Sequence, residues 1–134
     1  MNTMRLQIIS PKRVLFDGEC TMVEYNTTEG YVGVLPGHVA LTQVVAPGKL
    51  VVYEQNKEKP FIAALHSGVV KIMPDVIMIL AEVCELKEDI DVERAKKAKE
   101  RALHWFEVRD EKFNYERTTR SLKRAETRLE VASL

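Results

Sequence analysis

From residue 4 to about residue 85 the apolar positions come in short runs or alternate with polar ones. Each run stops at a Gly, a Pro or a small polar cluster. Alternation at a period of two, with frequent turn residues, predicts strands. The segments read this way are 4–9, 14–16, 20–25, 31–35, 40–45, 49–53, 60–65, 69–73 and 76–81. Asp17-Gly18, Thr27-Thr28-Glu29-Gly30, Pro36-Gly37-His38, Ala46-Pro47-Gly48 and Pro74-Asp75 are the expected turns. About eight to ten short strands at this spacing predict an antiparallel sandwich or flattened barrel.

At Asp91 the style changes. No Gly or Pro follows through Leu134, and apolar residues recur every three or four positions, the period of a helix. In a first helix the stripe is Ala95, Ala98, Ala102, Trp105 or Phe106, and Arg109. In a second it is Thr118, Leu122, Ala125, Leu129 and Ala132. The charged stretch 108–114 between them reads as a hairpin turn, unusual in having neither Gly nor Pro. Asp91 fits the N-cap of the first helix, and Glu93 suits its positive end. Ile90 and Ala95 are spaced for a small hydrophobic staple. The chain therefore divides into a β-sandwich over residues 1–86 and a helical hairpin over residues 87–134. A seam made mostly of Ala buries little area, and at roughly 25 cal/mol per Å² it docks weakly. Both a mobile arm and a permanently packed hairpin fit this pattern.

Composition adds one asymmetry. The net charge is zero, but residues 1–90 hold 8 Lys+Arg against 11 Asp+Glu, and residues 91–134 hold 12 against 9. A mildly acidic body with a mildly basic arm favours self-docking or a phosphate-bearing partner for the arm. It gives little support to nucleic-acid binding. Two cysteines, Cys20 and Cys84, make no disulfide framework and read as core filling in a reducing compartment. No apolar run approaches the roughly 20 residues of a membrane span.

No catalytic motif is present, so the chain reads as a non-enzyme. The Cys and His residues lack metal-ligand spacing, so no metal site is expected. His38 reads as a loop hydrogen-bonding residue, His66 as structural and His104 as a surface residue. Four arginines stand apart. Arg94 and Arg101, seven residues apart, share one face of the first helix. Arg124 and Arg128, four apart, share a face of the second. These are solvated helix faces or, if the helices fold side by side, a guanidinium cluster suited to phosphate oxygens.

Three segments carry a family resemblance. Glu29-Gly30-Tyr31-Val32-Gly33-Val34-Leu35-Pro36-Gly37-His38 is similar to a Glu-Gly-x-x-Gly-x-x-Pro-Gly-His motif. Ala46-Pro47-Gly48 matches a turn of the same family, and Ile90-Asp91-Val92-Glu93-Arg94-Ala95 matches its Ile/Leu-Asp-x-x-Arg-Ala motif. With these, nearly the whole chain resembles the epsilon subunit of bacterial F-type ATP synthases. The resemblance implies a sandwich of about ten strands with a C-terminal two-helix hairpin. It implies a non-catalytic place in the rotor of a proton- or sodium-translocating enzyme, beside the gamma subunit and on the c ring. The chain would lie at the cytoplasmic face of the bacterial membrane, associated with it only through the complex. Glu29, Gly30, Tyr31 and His38 become candidate c-ring contacts. The arm is expected to lie folded, or to extend into the alpha/beta catalytic head and block ATP hydrolysis. No cofactor is required, but ATP is implied as a regulatory ligand of the folded arm. The implied nucleotide residues are Glu85, Ile90, Asp91, Arg94, Ala95, Arg101, Arg124 and Arg128. One departure is His66-Ser67-Gly68, where the family often has Ser-Gly-Gly. That loses backbone freedom at one position.

Two other functions compete. One is a free-standing nucleotide-sensing adaptor, with the arginine cluster as its whole purpose. The other is a basic hairpin that binds RNA, disfavoured by the mixed charges and few stacking aromatics. The 29–38 segment discriminates, since only a rotor subunit needs it for a partner.

Overall fold

The structure, a computed structural model, describes residues 2–134. Eight strands come first: β1 (Met4–Ile9), β2 (Val14–Cys20), β3 (Met22–Thr27), β4 (Gly30–Val34), β5 (Leu41–Val44), β6 (Gly48–Tyr53), β7 (Phe61–Ile72) and β8 (Val76–Leu86). A short 3-10 turn, Lys87–Asp89, leads to α1 (Val92–Val108) and α2 (Tyr115–Ser133). The count is eight rather than about ten, chiefly because two expected strands, 60–65 and 69–73, are one continuous β7.

The strands form one hydrogen-bonded sheet in the order β2-β1-β8-β7-β6-β3-β4, with β5 joined to β7. The first half of β7 pairs with β6 and its second half with β5. Between the halves, at Ser67 and Gly68, the register against β8 shifts. Such an irregularity bends a strand and lets one sheet fold over into two layers. Gly68 has φ 150°. A Cβ there would strike the Leu80 carbonyl oxygen and lie 3.2 Å from the Ala81 Cα. Ser67 needs no such freedom. Outside glycine only Asn56 and Arg109 have positive φ among the described residues, so the bend survives the family's missing glycine.

Leu6, Ile8, Val23, Tyr25, Leu50, Val52, Leu65, Val70 and Ile79 form the centre of the core, each at most 1% exposed. No residue beyond Leu86 joins that cluster. Burial pushes the Cys20 thiol up to about 11 and the Cys84 thiol up to about 12. Both therefore stay protonated and unpaired, as space-filling groups.

Asp17-Gly18 is not a turn. It lies inside β2, where Asp17 faces Gln7 and Gly18 faces Leu6. Arg5 reaches across to Asp17 at 2.5 Å. Pairing along the whole of β1 outweighs the local turn preference of a two-residue signal.

The helical arm begins as expected. The Asp91 carboxylate accepts from the Arg94 backbone N–H at 3.0 Å, and Asn114 caps α2 through the Arg117 N–H at 3.0 Å. Arg109 closes α1 in the left-handed conformation, φ 45°, instead of continuing the apolar stripe. This position usually takes Gly. Here the Arg109 Nε donates to the Phe106 carbonyl at 2.9 Å. Its guanidinium lies 5.9 Å from the Phe106 ring and 5.4 Å from the Phe113 ring. Cation–π contacts of this kind offset part of the backbone cost.

Helix α2 carries the packing on the sandwich, against β6, β7 and the 3-10 turn. Val51 on β6 and Ala64 and His66 on β7 are buried but stand outside the core cluster. They alternate with core residues, so they face the side that α2 covers. Because α2 lies between α1 and the sheet, it buries more than one stripe. Thr127 and Val131, which the sequence stripe omits, are buried together with Ala125.

Candidate functional site

The arm is fastened to the sandwich at one polar point. Glu85 on β8 accepts from Arg128 Nε on α2 at 2.5 Å. The same oxygen, Oε1, accepts from His66 Nε2 on β7 at 3.0 Å. Burial opposes ionisation of Glu85. The hydrogen bond and charge of Arg128, with help from His66, outweigh it and hold the carboxyl below its usual range. Burial pushes His66 down, against the raising pull of Glu85. The imidazole is therefore neutral near pH 7, donating through Nε2, and its buried Nδ1 has no partner. Sequence reasoning assigned Glu85 to nucleotide and His66 to structure without linking them. Residues 19 apart join only because β7 and β8 are paired neighbours.

Above this point the two helices enclose a groove of about 490 Å³. Arg101 and Trp105 of α1, and Arg117, Arg124 and Arg128 of α2, line it together with Lys112 of the turn. No Asp or Glu among the described residues lines it. Among the described residues only Arg128 of these cations has a carboxylate within 4.0 Å. The Nε of Arg124 is buried and without a hydrogen-bond partner. A buried, unpartnered guanidinium N–H among like charges is costly, and no carboxylate of the groove lining relieves it.

The eight implied nucleotide residues are thus partly assembled. Arg101, Arg124 and Arg128 line the groove. Glu85 holds Arg128. Ile90, Asp91 and Ala95 stand at the start of α1, with Ala95 buried and Asp91 exposed. Arg94 is exposed at the same end and lies outside the lining. Side-by-side packing of the helices brings Arg101 to the Arg124 and Arg128 pair and leaves Arg94 apart.

The 29–38 segment runs through a turn, a strand and a loop. Glu29 belongs to the turn before β4 and His38 to the loop after it. Strand β4, with Gly30 and Tyr31 at its start, is an edge strand of the sheet. At about 3.3 Å per residue, Glu29 and His38 lie far apart along that edge. Tyr31 is tied to the neighbouring stretch of chain. Its hydroxyl accepts from the Lys49 N–H at 3.1 Å, and a Cβ on Gly48 would collide with it. Tyr31 is nevertheless 53% exposed, and Leu35 and Val39 near His38 are exposed as well. His38 Nδ1 lies 2.9 Å from the Val39 carbonyl oxygen, the loop hydrogen bond expected of it.

Comparison with known proteins matches both parts. Residues 3–87 match the family described as ATP synthase, Delta/Epsilon chain, beta-sandwich domain. Residues 88–133 match ATP synthase, Delta/Epsilon chain, long alpha-helix domain. The ATP synthase epsilon chain of Halalkalibacterium halodurans is 36% identical over 133 residues, covering 98% of both chains. That of Ruminiclostridium cellulolyticum is 35% identical, covering 99% of this chain and 98% of the relative. Among solved structures, a chain of the Euglena gracilis mitochondrial ATP synthase, solved with OSCP, F1 and c-ring, superposes with TM-score 0.84 at 25% identity. It covers 98% of this chain and 82% of that one.

Proposed function

The chain belongs to the ATP synthase delta/epsilon family, as a non-catalytic subunit, and from that premise we propose that it couples and regulates the rotor. It sits in the central stalk against the gamma subunit and the c ring, at the cytoplasmic face of the bacterial membrane. Its arm lies folded when ATP fills the groove. When ATP leaves, the arm extends into the alpha/beta head and blocks hydrolysis.

The observation that carries this reading is the composition of the groove. Its cations come from both helices, so it exists only while the hairpin is closed. A ligand that bridges α1 and α2 binds the folded arm alone and stabilises it by that difference in affinity. Guanidinium forks and the absence of carboxylates suit a triphosphate. Arg128 is tied to Glu85 as well, so the same side chain links nucleotide, hairpin and sandwich.

The test is a titration of the full chain with ATP. Arg124→Ala is expected to weaken binding at least tenfold, about 1.4 kcal/mol, because a charge-assisted contact is lost. Arg109→Ala, outside the groove lining, is expected to leave affinity within twofold. Equal affinities for wild type and Arg124→Ala would remove phosphate recognition from the groove.

The c-ring face is tested separately. Cysteine placed at Tyr31 or at His38 is expected to crosslink to c subunits in assembled enzyme, because both side chains lie exposed along the β4 edge. Crosslinks to gamma alone, in enzyme that assembles normally, would move the c-ring contact elsewhere.

A further inference from the structure

The arginines assigned to a triphosphate do not use the whole groove. Arg117 lies seven residues, or two helical turns, beyond Arg124 toward the hairpin turn. At about 1.5 Å per residue that is roughly 10 Å farther along α2. Lys112 continues the cationic lining into the turn itself. Neither has a carboxylate within 4.0 Å among the described residues. Trp105 and Phe113 line this same end, and Trp105 is 39% exposed although it lies in a concave surface. An exposed indole beside unneutralised cations is an ordinary way to hold a phosphate chain with a planar group at its end.

We propose that the turn-ward end of the groove is a second anion subsite, which lets the folded arm bind polyphosphate chains longer than a triphosphate. The inference extends the ATP reading and rests on it for the first three phosphates, at Arg101, Arg124 and Arg128. The added phosphates meet Arg117 and Lys112. Two sources share this chemistry: a free inorganic chain, and a dinucleoside polyphosphate whose second base stacks on Trp105.

Trp105 is the chain's only tryptophan, so its fluorescence reports on this end directly. The full chain is titrated with ATP, inorganic tripolyphosphate, inorganic tetrapolyphosphate and diadenosine tetraphosphate. Tetrapolyphosphate is expected to bind at least tenfold tighter than tripolyphosphate. A further gain for diadenosine tetraphosphate, lost in Trp105→Leu, assigns the dinucleotide source; no further gain assigns the inorganic chain. In Arg117→Ala/Lys112→Ala the length advantage is expected to vanish, with tetrapolyphosphate binding no tighter than tripolyphosphate. Lys97→Ala, which removes an exposed charge outside the groove lining, is expected to leave the advantage intact.

Three results overturn the subsite: no length advantage in wild type, an advantage lost equally in Lys97→Ala, or polyglutamate bound as tightly as tetrapolyphosphate. ATP binding with no length advantage rejects the subsite alone. A length advantage in a chain that does not bind ATP rejects the ATP reading and leaves a polyphosphate site.

Discussion

Deleting residues 91–134 is expected to abolish ATP binding completely while leaving a folded sandwich that still binds gamma. The core cluster ends at Leu86 and holds no arm residue, so the deletion opens no cavity within it. What becomes exposed is the outer face at Val51, Ala64 and His66, together with Glu85, which loses Arg128. His66 then regains water at its unpartnered Nδ1, which offsets part of the lost contact. The groove disappears outright, because every residue lining it lies beyond residue 91. In assembled enzyme the same deletion is expected to raise ATP hydrolysis or remove its lag, since no arm remains to enter the head. An unfolded truncation, by circular dichroism and thermal melting, would show that the arm is part of the core. Unchanged hydrolysis would reject the inhibitory role and leave the fold untouched.

Gly68→Ala is expected to destabilise the sandwich by about 2–6 kcal/mol. Backbone strain at φ 150° contributes about 1–3 kcal/mol for a non-glycine residue. The clash of a new Cβ with the Leu80 carbonyl and the Ala81 Cα adds about 1–3 kcal/mol for overpacking. The contact is with backbone of the neighbouring strand, which cannot swing aside as a side chain would. For a domain of this size each kcal/mol moves Tm by about 4–8 °C, so a fall of at least ~8 °C is expected in thermal unfolding. Gly33→Ala is the comparison. Its Cβ would meet Met22 Sδ at 3.6 Å and Glu24 Cγ at 3.7 Å, ordinary contact, and a change within about 1 kcal/mol is expected. Equal effects at the two glycines would mean that the β7 bend does not depend on Gly68.

Much of this architecture is legible in the chain, and the reasons differ by element. The switch from strand to helix is plain because period, Gly and Pro usage, and an Asp91 cap change at one place. Strand bounds are less legible where long-range pairing overrides local signals. Asp17-Gly18 has turn chemistry, yet pairing with β1 runs straight through it. His66-Ser67-Gly68 looks like a break between two strands, yet a bulge lets one strand carry both halves. Arg109 falls in an apolar register, but two aromatic rings hold it as the helix terminus.

The candidate site was legible by a different route. Spacings of seven and four put Arg94 with Arg101, and Arg124 with Arg128, but only the closed hairpin makes them one cluster. It gathers three of the four and leaves Arg94 at the helix start. The His66–Glu85–Arg128 link had no sequence signal, since its residues lie on three elements and meet only through sheet pairing and arm docking. Arg117 and Lys112 were hidden in charged stretches that look like ordinary solvated surface. Their meaning comes from the carboxylate-free groove they share.

The central claim is that ATP is held by the closed hairpin and keeps it closed. An amide NMR titration of the full chain with ATP tests it most directly. Saturable shifts by millimolar ligand are expected in both helices, at Arg101, Ala102, Ser121 and Arg124, and at Glu85 beneath Arg128. The sandwich core is predicted to stay unmoved. No shift at millimolar ATP, or shifts confined to one helix, would contradict it.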